Sequence, residues 1–426
     1  MDEEATPFKR ILLIAILIGI ISGFGALLFF EGLETAILFV AKTILGYNLP
    51  VEGMTAQEIA SWSPPIHIWL ILPVITLGGL LSGILVYSLA PEAAGHGTDA
   101  AIKAFHGDGK VRWRIPLLKA VTSIITISTG GSAGREGPTA QIAAGFGSIA
   151  ADLLHMGPRD RRMAIATGIG AGIGTIFMAP LGGAILAAEI LYTRDFEADA
   201  IIPAFLASII GYSIFGSFKG FDPVFSTEDI VWNVGQIPFF LLLGIVCAAV
   251  GMLYIWSFYR TTSLFTDLFT RYHIPPHVKP MAGAFLVGLT VILLAYLSPE
   301  GLLLGLGSMG TGYGFVQLGI YAMMPLSVLI FLPFAKILTT SLTIGSGGSG
   351  GVFAPGLAVG GALGGAVGTI LHLLLPELVP LATVPAFVVV GMIALFGAVS
   401  NAPIAVMIMV VEMTGKKLGF TLVGAD

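Results

Sequence analysis

Residues 11–30 read ILLIAILIGIISGFGALLFF, twenty residues without a single charge. A helix needs about 20 apolar residues to cross the hydrocarbon core of a bilayer, and this run supplies them. It is too long for a signal peptide, and no small-residue cleavage site closes it, so it is expected to stay as the first membrane helix. Charged residues make up only 11% of the chain and hydrophobic ones 56%, against roughly 25% charged in soluble domains. One soluble core could not hide that much apolar surface. In lipid every backbone polar group must be satisfied within the protein, which favours helices. The sequence therefore predicts an all-α polytopic membrane protein.

Further long apolar stretches lie at 67–90, 199–218, 234–258, 281–298 and 326–345, with the first at 8–46. Between them are shorter pieces interrupted by Gly and Pro, at 115–130, 137–155, 162–177, 180–193, 353–375, 385–399 and 403–413. Such pieces are expected to be tilted and broken helices whose ends meet inside the membrane around a cavity. The 57 glycines suit that arrangement. Positive charge is bunched at Lys9-Arg10, in KVRWR (110–114) and in PRDRR (158–162), short loops that are expected to face the cytoplasm.

The two halves repeat one plan. GREGPTAQIAAGFGSIAADLLHM begins at Gly134 and GVFAPGLAVGGALGGAVGTILHLLL at Gly351, each with a proline four residues in. Downstream, Glu189 lies nine residues past Pro180, and Glu412 nine residues past Pro403, each proline preceded by alanine. A tandem duplication in a membrane protein implies two repeats around a central site. We divide them as 1–220 and 221–426.

Three glycine-rich loops open helices: GHGTDAAIKAF (95–105), GREGPTAQIAAG (134–145) and GSGGSGGVFAPGLAVGG (345–361). A helix N-terminus carries about half a positive charge and unpaired N–H donors. Several such ends meeting at mid-membrane would bind a small anion weakly enough to release it, which a full cationic side chain would not. Glu136 stands where its own carboxylate competes for those donors. Protonated, it would swing away and admit the anion, acting as gate and proton carrier. The structural alternative is a helix-capping glutamate with Arg135 as counter-ion. The spacing of Gly145, Gly360 and Gly364 is read as close helix packing.

Net charge −5 gives no basic footprint, so nucleic acid is not expected as a partner. Cys247 is the single cysteine, so neither an internal disulfide nor a zinc cluster can form. CxxC, HExxH and Walker A patterns are absent from the sequence, so the chain is not expected to be an enzyme or to hold a cofactor or metal.

GREGP (Gly134 to Pro138), GGVFAP (Gly350 to Pro355), Lys119, the Ala-Pro stretch with Glu189 and EMT (Glu412 to Thr414) together resemble the CLC family of chloride channels and chloride/proton exchangers. The resemblance runs from about Ile11 to the C-terminus. It implies a homodimer in the lipid bilayer, each subunit with its own anion pathway between inverted-topology repeats. It assigns the gating glutamate to Glu136 and the anion site to backbone amides of Arg135, Glu136, Gly137, Val352 and Phe353. His96 stands where the family's first loop has a serine that donates to the anion, with Gly97 beside it and Asp99 in place of a proline. Imidazole N–H could still donate; the alternative leaves His96 solvated and Asp99 a cap. The family's inner proton-passing glutamate falls on Ile190. Neighbouring Glu189 either feeds an inner proton route or is a structural glutamate at a helix end.

Two further family features are not found. A late helix that supplies a tyrosine to the anion would lie past EMTG, and cytoplasmic CBS domains would follow it; the second repeat is read as lacking both. The chain is expected in a plasma membrane of prokaryotic type. Chloride exchanged for protons, gated by Glu136, is the expected function. The alternative is a passive voltage- or pH-gated anion channel on the same fold. A fluoride exporter fits less well, because the loop keeps its proline in GREGP.

Overall fold

The computed structural model describes residues 2–227 and 230–415, with side chains from Leu12 onward. The first half runs α1 (Asp2–Leu38), α2 (Ala56–Ala60), α3 (Ile71–Leu89), α4 (Thr98–His106), α5 (Arg114–Ser128), α6 (Glu136–Leu153), α7 (Pro158–Ile176), α8 (Pro180–Glu189) and α9 (Ala198–Lys219). The second runs α10 (Ile237–Arg271), α11 (Lys279–Leu297), α12 (Gly301–Ser308), α13 (Tyr313–Ile320), α14 (Leu326–Gly345), α15 (Phe353–Leu374), α16 (Val384–Ser400) and α17 (Pro403–Thr414). The expectation about helices beyond EMTG falls on residues 416–426, outside the described residues.

Eight helical stretches among the described residues are long and apolar enough to cross a bilayer. Six coincide with the long candidates of the sequence. The other two, Phe353–Leu374 and Leu381–Ser400, were expected to be short pieces. Their glycines do not break the helices; they let α15 and α16 cross closely. A Cβ on Gly364 would lie 1.9 Å from the Phe387 carbonyl oxygen, and one on Gly360 2.3 Å from that of Gly391. Gly145 likewise admits Pro116, whose Cγ would be 2.4 Å from an added Cβ. Small residues let helix backbones approach where lipid offers no hydrophobic drive for association.

Broken helices are present as expected. With 9 residues in α4, 10 in α8 and 8 in α13, and about 1.5 Å of rise per residue, each reaches only about half of the roughly 30 Å core. They end inside the protein. The outer faces are apolar instead of polar: Leu241, Ile245 and Met252 of α10 are each about two-thirds exposed, as a surface wetted by lipid requires.

At the centre of the protein the halves are joined backbone to backbone. Gly134 N–H donates to the Gly351 carbonyl at 2.7 Å and Gly351 N–H to the Gly134 carbonyl at 2.6 Å. Around this reciprocal pair the loops exchange partners: Ala133 N–H donates to the Gly310 carbonyl at 3.2 Å, and Gly350 N–H to that of Gly95 at 3.3 Å. A buried lysine from each half holds the loop ahead of a short helix. Lys119 of α5 donates to the carbonyls of Ala93 (3.1 Å) and Gly95 (2.7 Å). Lys336 of α14 donates to those of Met309 (2.7 Å) and Gly310 (2.8 Å). Both are fully buried, and both lie seventeen residues before the first residue of the following helix, Glu136 or Phe353. The two lysines thus play the same part at the same spacing in each half.

Gly364→Leu is expected to lower the thermal stability of the detergent-solubilised protein, by roughly 1–3 kcal/mol or more for overpacking against backbone. Thermal unfolding would measure it, with the exposed substitution Leu241→Ala as a control.

Candidate functional site

Three helices, α4, α6 and α15, begin at a cavity of about 410 Å³ whose wall includes His96, Asp99, Glu136, Gly137, Val352 and Phe353. Five of the residues picked out from sequence therefore come together: His96, Glu136, Gly137, Val352 and Phe353. They arrive from both halves, α4 and α6 from the first and α15 from the second. Gly97 is not on the wall but is needed behind it. It has φ +90°, and an added Cβ would lie 2.7 Å from the Gly137 carbonyl oxygen. A Cβ on Gly137 would in turn sit 2.0 Å from the His96 carbonyl oxygen. Only glycine lets these two loops cross so closely.

Glu136 is the first residue of α6 and is 1% exposed. Its Oε1 accepts a hydrogen bond from the Tyr313 hydroxyl at 2.5 Å. Its Oε2 is buried without a close hydrogen-bond partner, although the backbone N–H groups of Glu136 and Ala354 lie near the carboxylate. Arg135 turns the other way. Its Nη1 meets Glu52 Oε1 at 2.7 Å, and its guanidinium lies 4.7 Å from the centre of the Phe30 ring. The Arg135 side chain thus lines a second cavity, of about 240 Å³, with Glu52, Gly312 and Gly314. Its ion pair is with Glu52, while its charge also acts on neighbouring Glu136. Lysine and arginine are absent from the wall of the first cavity among the described residues.

His96 is not simply solvated. Its Nε2 lies 2.7 Å from Asp99 Oδ2, so Asp99 engages the imidazole; the cap position of α4 belongs to Gly97, without a side-chain hydrogen bond. Asp99 also lines the cavity, where its charge opposes an anion.

Glu189 ends α8 and takes the structural alternative. Its carboxylate accepts from the N–H groups of Ile404 (3.3 Å) and Ala405 (2.8 Å) in the first turn of α17. Glu412, at the far end of α17, accepts from those of Leu181 (3.3 Å) and Gly182 (2.8 Å) in the first turn of α8. The two glutamates cap each other's helices. Ile190, not Glu189, stands on the cavity wall.

Two tyrosines were not picked out from sequence. Tyr254 of α10 lines the first cavity and donates to the Val352 carbonyl at 3.2 Å. Tyr313 follows a fourth glycine loop, GTGYG (310–314). The duplication contained the signal for it, since Gly310-Thr311-Gly312 repeats Gly95-His96-Gly97.

Known proteins share this architecture. The family model described as voltage gated chloride channel matches residues 78–424. An uncharacterized protein of Methanocaldococcus jannaschii is 31% identical over 369 residues, 86% of each chain. The H(+)/Cl(-) exchange transporter ClcA of Yersinia pseudotuberculosis is 29% identical over 421 residues, 97% of this chain and 82% of its own. Among solved structures, a slow cyanobacterial Cl−/H+ antiporter aligns with TM-score 0.77 at 25% identity, over 95% of this chain and 89% of its own. A CLC-type fluoride/proton antiporter aligns with TM-score 0.78 at 19% identity, over 98% and 94%. The chain belongs to the CLC family of anion transporters. It is a multi-pass integral membrane protein and not an enzyme.

Glu189→Ala and Glu412→Ala are each expected to lose roughly 0.5–2 kcal/mol of stability, the cost of removing a helix-capping acceptor. Thermal unfolding of both variants should show similar losses, because the two caps are equivalent by the repeat.

Proposed function

We propose that the chain exchanges chloride for protons across the membrane, with Glu136 as the gate and proton carrier. The observation that carries this reading is the buried Glu136 carboxylate at the start of α6, on the wall of a cavity at which α4, α6 and α15 begin. Amides of Gly137, Val352 and Phe353 would supply partial positive charge to the anion, with Arg135 contributing its backbone at the cap of α6 and Gly97 the close loop crossing. Arg135's full charge is neutralised by Glu52, so weak partial charges dominate the cavity and an anion bound there is released readily. The carboxylate and the anion compete for the same donors. Protonation removes the competitor's charge, and return of the carboxylate delivers the proton. In this reading His96 faces the passing anion through its imidazole, and Glu189 serves as a cap. Relatives at 29% and 25% identity are named as chloride/proton exchangers, which supports chloride over fluoride as the cargo. A homodimer of the two-repeat subunit, 1–220 with 221–426, belongs to the same proposal.

A second reading, a passive anion channel, is favoured by Ile190, an apolar side chain on the cavity wall that offers a proton no station. Purified protein in proteoliposomes separates the two. For an exchanger, an imposed pH gradient drives chloride uphill and shifts the reversal potential; for a channel, the reversal potential follows chloride alone. Glu136→Gln is expected to abolish proton movement, by more than tenfold, while chloride still passes. Proton-coupled movement left intact in that variant would overturn the gate assignment.

A further inference from the structure

We infer that Tyr313 is the latch on this gate: its hydroxyl holds the Glu136 carboxylate in the wall between the two cavities, and chloride passes only after that hydrogen bond breaks. The inference rests on the reading of Glu136 as the gate. Glu136 lines the first cavity, whereas Gly312 and Gly314, on either side of Tyr313, line the second. The 2.5 Å bond between Tyr313 Oη and Glu136 Oε1 thus ties the wall of the first cavity to a buried residue whose chain neighbours line the second. It also joins the two repeats, since Glu136 opens α6 of the first and Tyr313 opens α13 of the second.

The hydroxyl is held from several sides. Tyr313 is fully buried, and its ring meets Phe225 edge-on at 5.4 Å between centres. The Arg135 guanidinium lies 5.5 Å from the ring centre, in reach of a cation–π attraction. The preceding Gly312 has φ +86°, and the carbonyls of Met309 and Gly310 are tied to Lys336. A tyrosine side chain has only two rotatable angles, so a donor anchored in this way costs little entropy to aim. A threonine, Thr98, takes the equivalent place at the start of α4 in the other repeat and lines the first cavity. The duplicated frame therefore carries the latch on one side only.

The charged and titratable groups facing Glu136 are few. Arg135 precedes it and is held by Glu52. Tyr313 comes from α13. His96 and Asp99, at the N-terminus of α4, and Tyr254 of α10 share its cavity. Among these, Tyr313 makes the one side-chain hydrogen bond to the carboxylate among the described residues, while Oε2 has no hydrogen-bond partner. A hydrogen bond to the charged form favours that form. Removing the hydroxyl should therefore let the carboxylate protonate, and the gate open, at higher pH.

The test uses the full chain in chloride-loaded proteoliposomes, with chloride and proton flux followed against pH. Tyr313→Phe is expected to raise chloride flux at neutral pH about tenfold or more, as loss of one hydrogen bond to a charged group implies, and to move the half-maximal pH upward by roughly one to two units. In the Glu136→Gln background the same substitution should change chloride flux by less than about twofold, because the charged acceptor is already gone. 3-Fluorotyrosine at position 313 keeps the shape and strengthens the donor, so it should move the half-maximal pH downward; this variant decides the matter if Tyr313→Phe does not fold. Wild-type flux and pH profile in Tyr313→Phe, or equal changes with and without Glu136, would overturn the latch. If Glu136→Gln abolishes proton movement while the Tyr313 variants behave as wild type, the latch fails and the gate stands. If Glu136→Gln leaves coupled movement intact, the gate reading falls and the latch with it.

Discussion

Backbone N–H and C=O groups buried away from water must find partners, and the centre of this protein is built around that demand. The broken helices stop inside the membrane, so their ends carry unpaired groups where no lipid can help. The reciprocal hydrogen bonds between Gly134 and Gly351 satisfy four such groups, two N–H and two C=O, and fasten the halves together. The neighbouring loops follow suit, with Ala133 bonded to Gly310 and Gly350 to Gly95. Once these stretches of loop are paired, the starts of α6 and α15 lie together on the wall of one cavity. The candidate anion site consists of what the pairing leaves over.

Charge is distributed by the same logic. Lys119 and Lys336 are spent on loop carbonyls, Glu189 and Glu412 on each other's helix starts, and Arg135 on Glu52. Each of these groups would be costly if buried alone, and each is absorbed by a structural task. Glu136 differs in standing on the cavity wall, with one oxygen bonded to Tyr313 and the other without a partner. A buried carboxylate left half-satisfied has two competing futures, to accept a proton or to yield its place to another anion. That is the physical content of the gate proposed above.

The shared plan of the two halves was legible because its landmarks keep their spacing. Gly134 with Pro138, Gly351 with Pro355, and the two Ala-Pro-to-Glu intervals stand in plain order along the chain. The long spans were legible from uninterrupted apolar runs. Phe353–Leu374 was harder, since a helix dense in glycine looks broken until the partner that needs those glycines is known. Glu189 was ambiguous for a related reason: its partners are backbone amides 215 residues away, and backbone has no signature in sequence. Arg135 looked like the natural counter-ion of its neighbour Glu136, yet the chain turns it toward Glu52.

By itself the sequence determined that this chain lives in a bilayer, that it is duplicated, and that Glu136 opens a helix among glycines. Those properties are local or periodic, so they survive in one dimension. Only the tertiary structure decided which residues share a cavity, which glutamates cap, and that Tyr313 reaches Glu136 across 177 positions. Such meetings depend on how two half-crossing helices are aimed, and that direction is set by packing and by paired backbone at the join between the repeats.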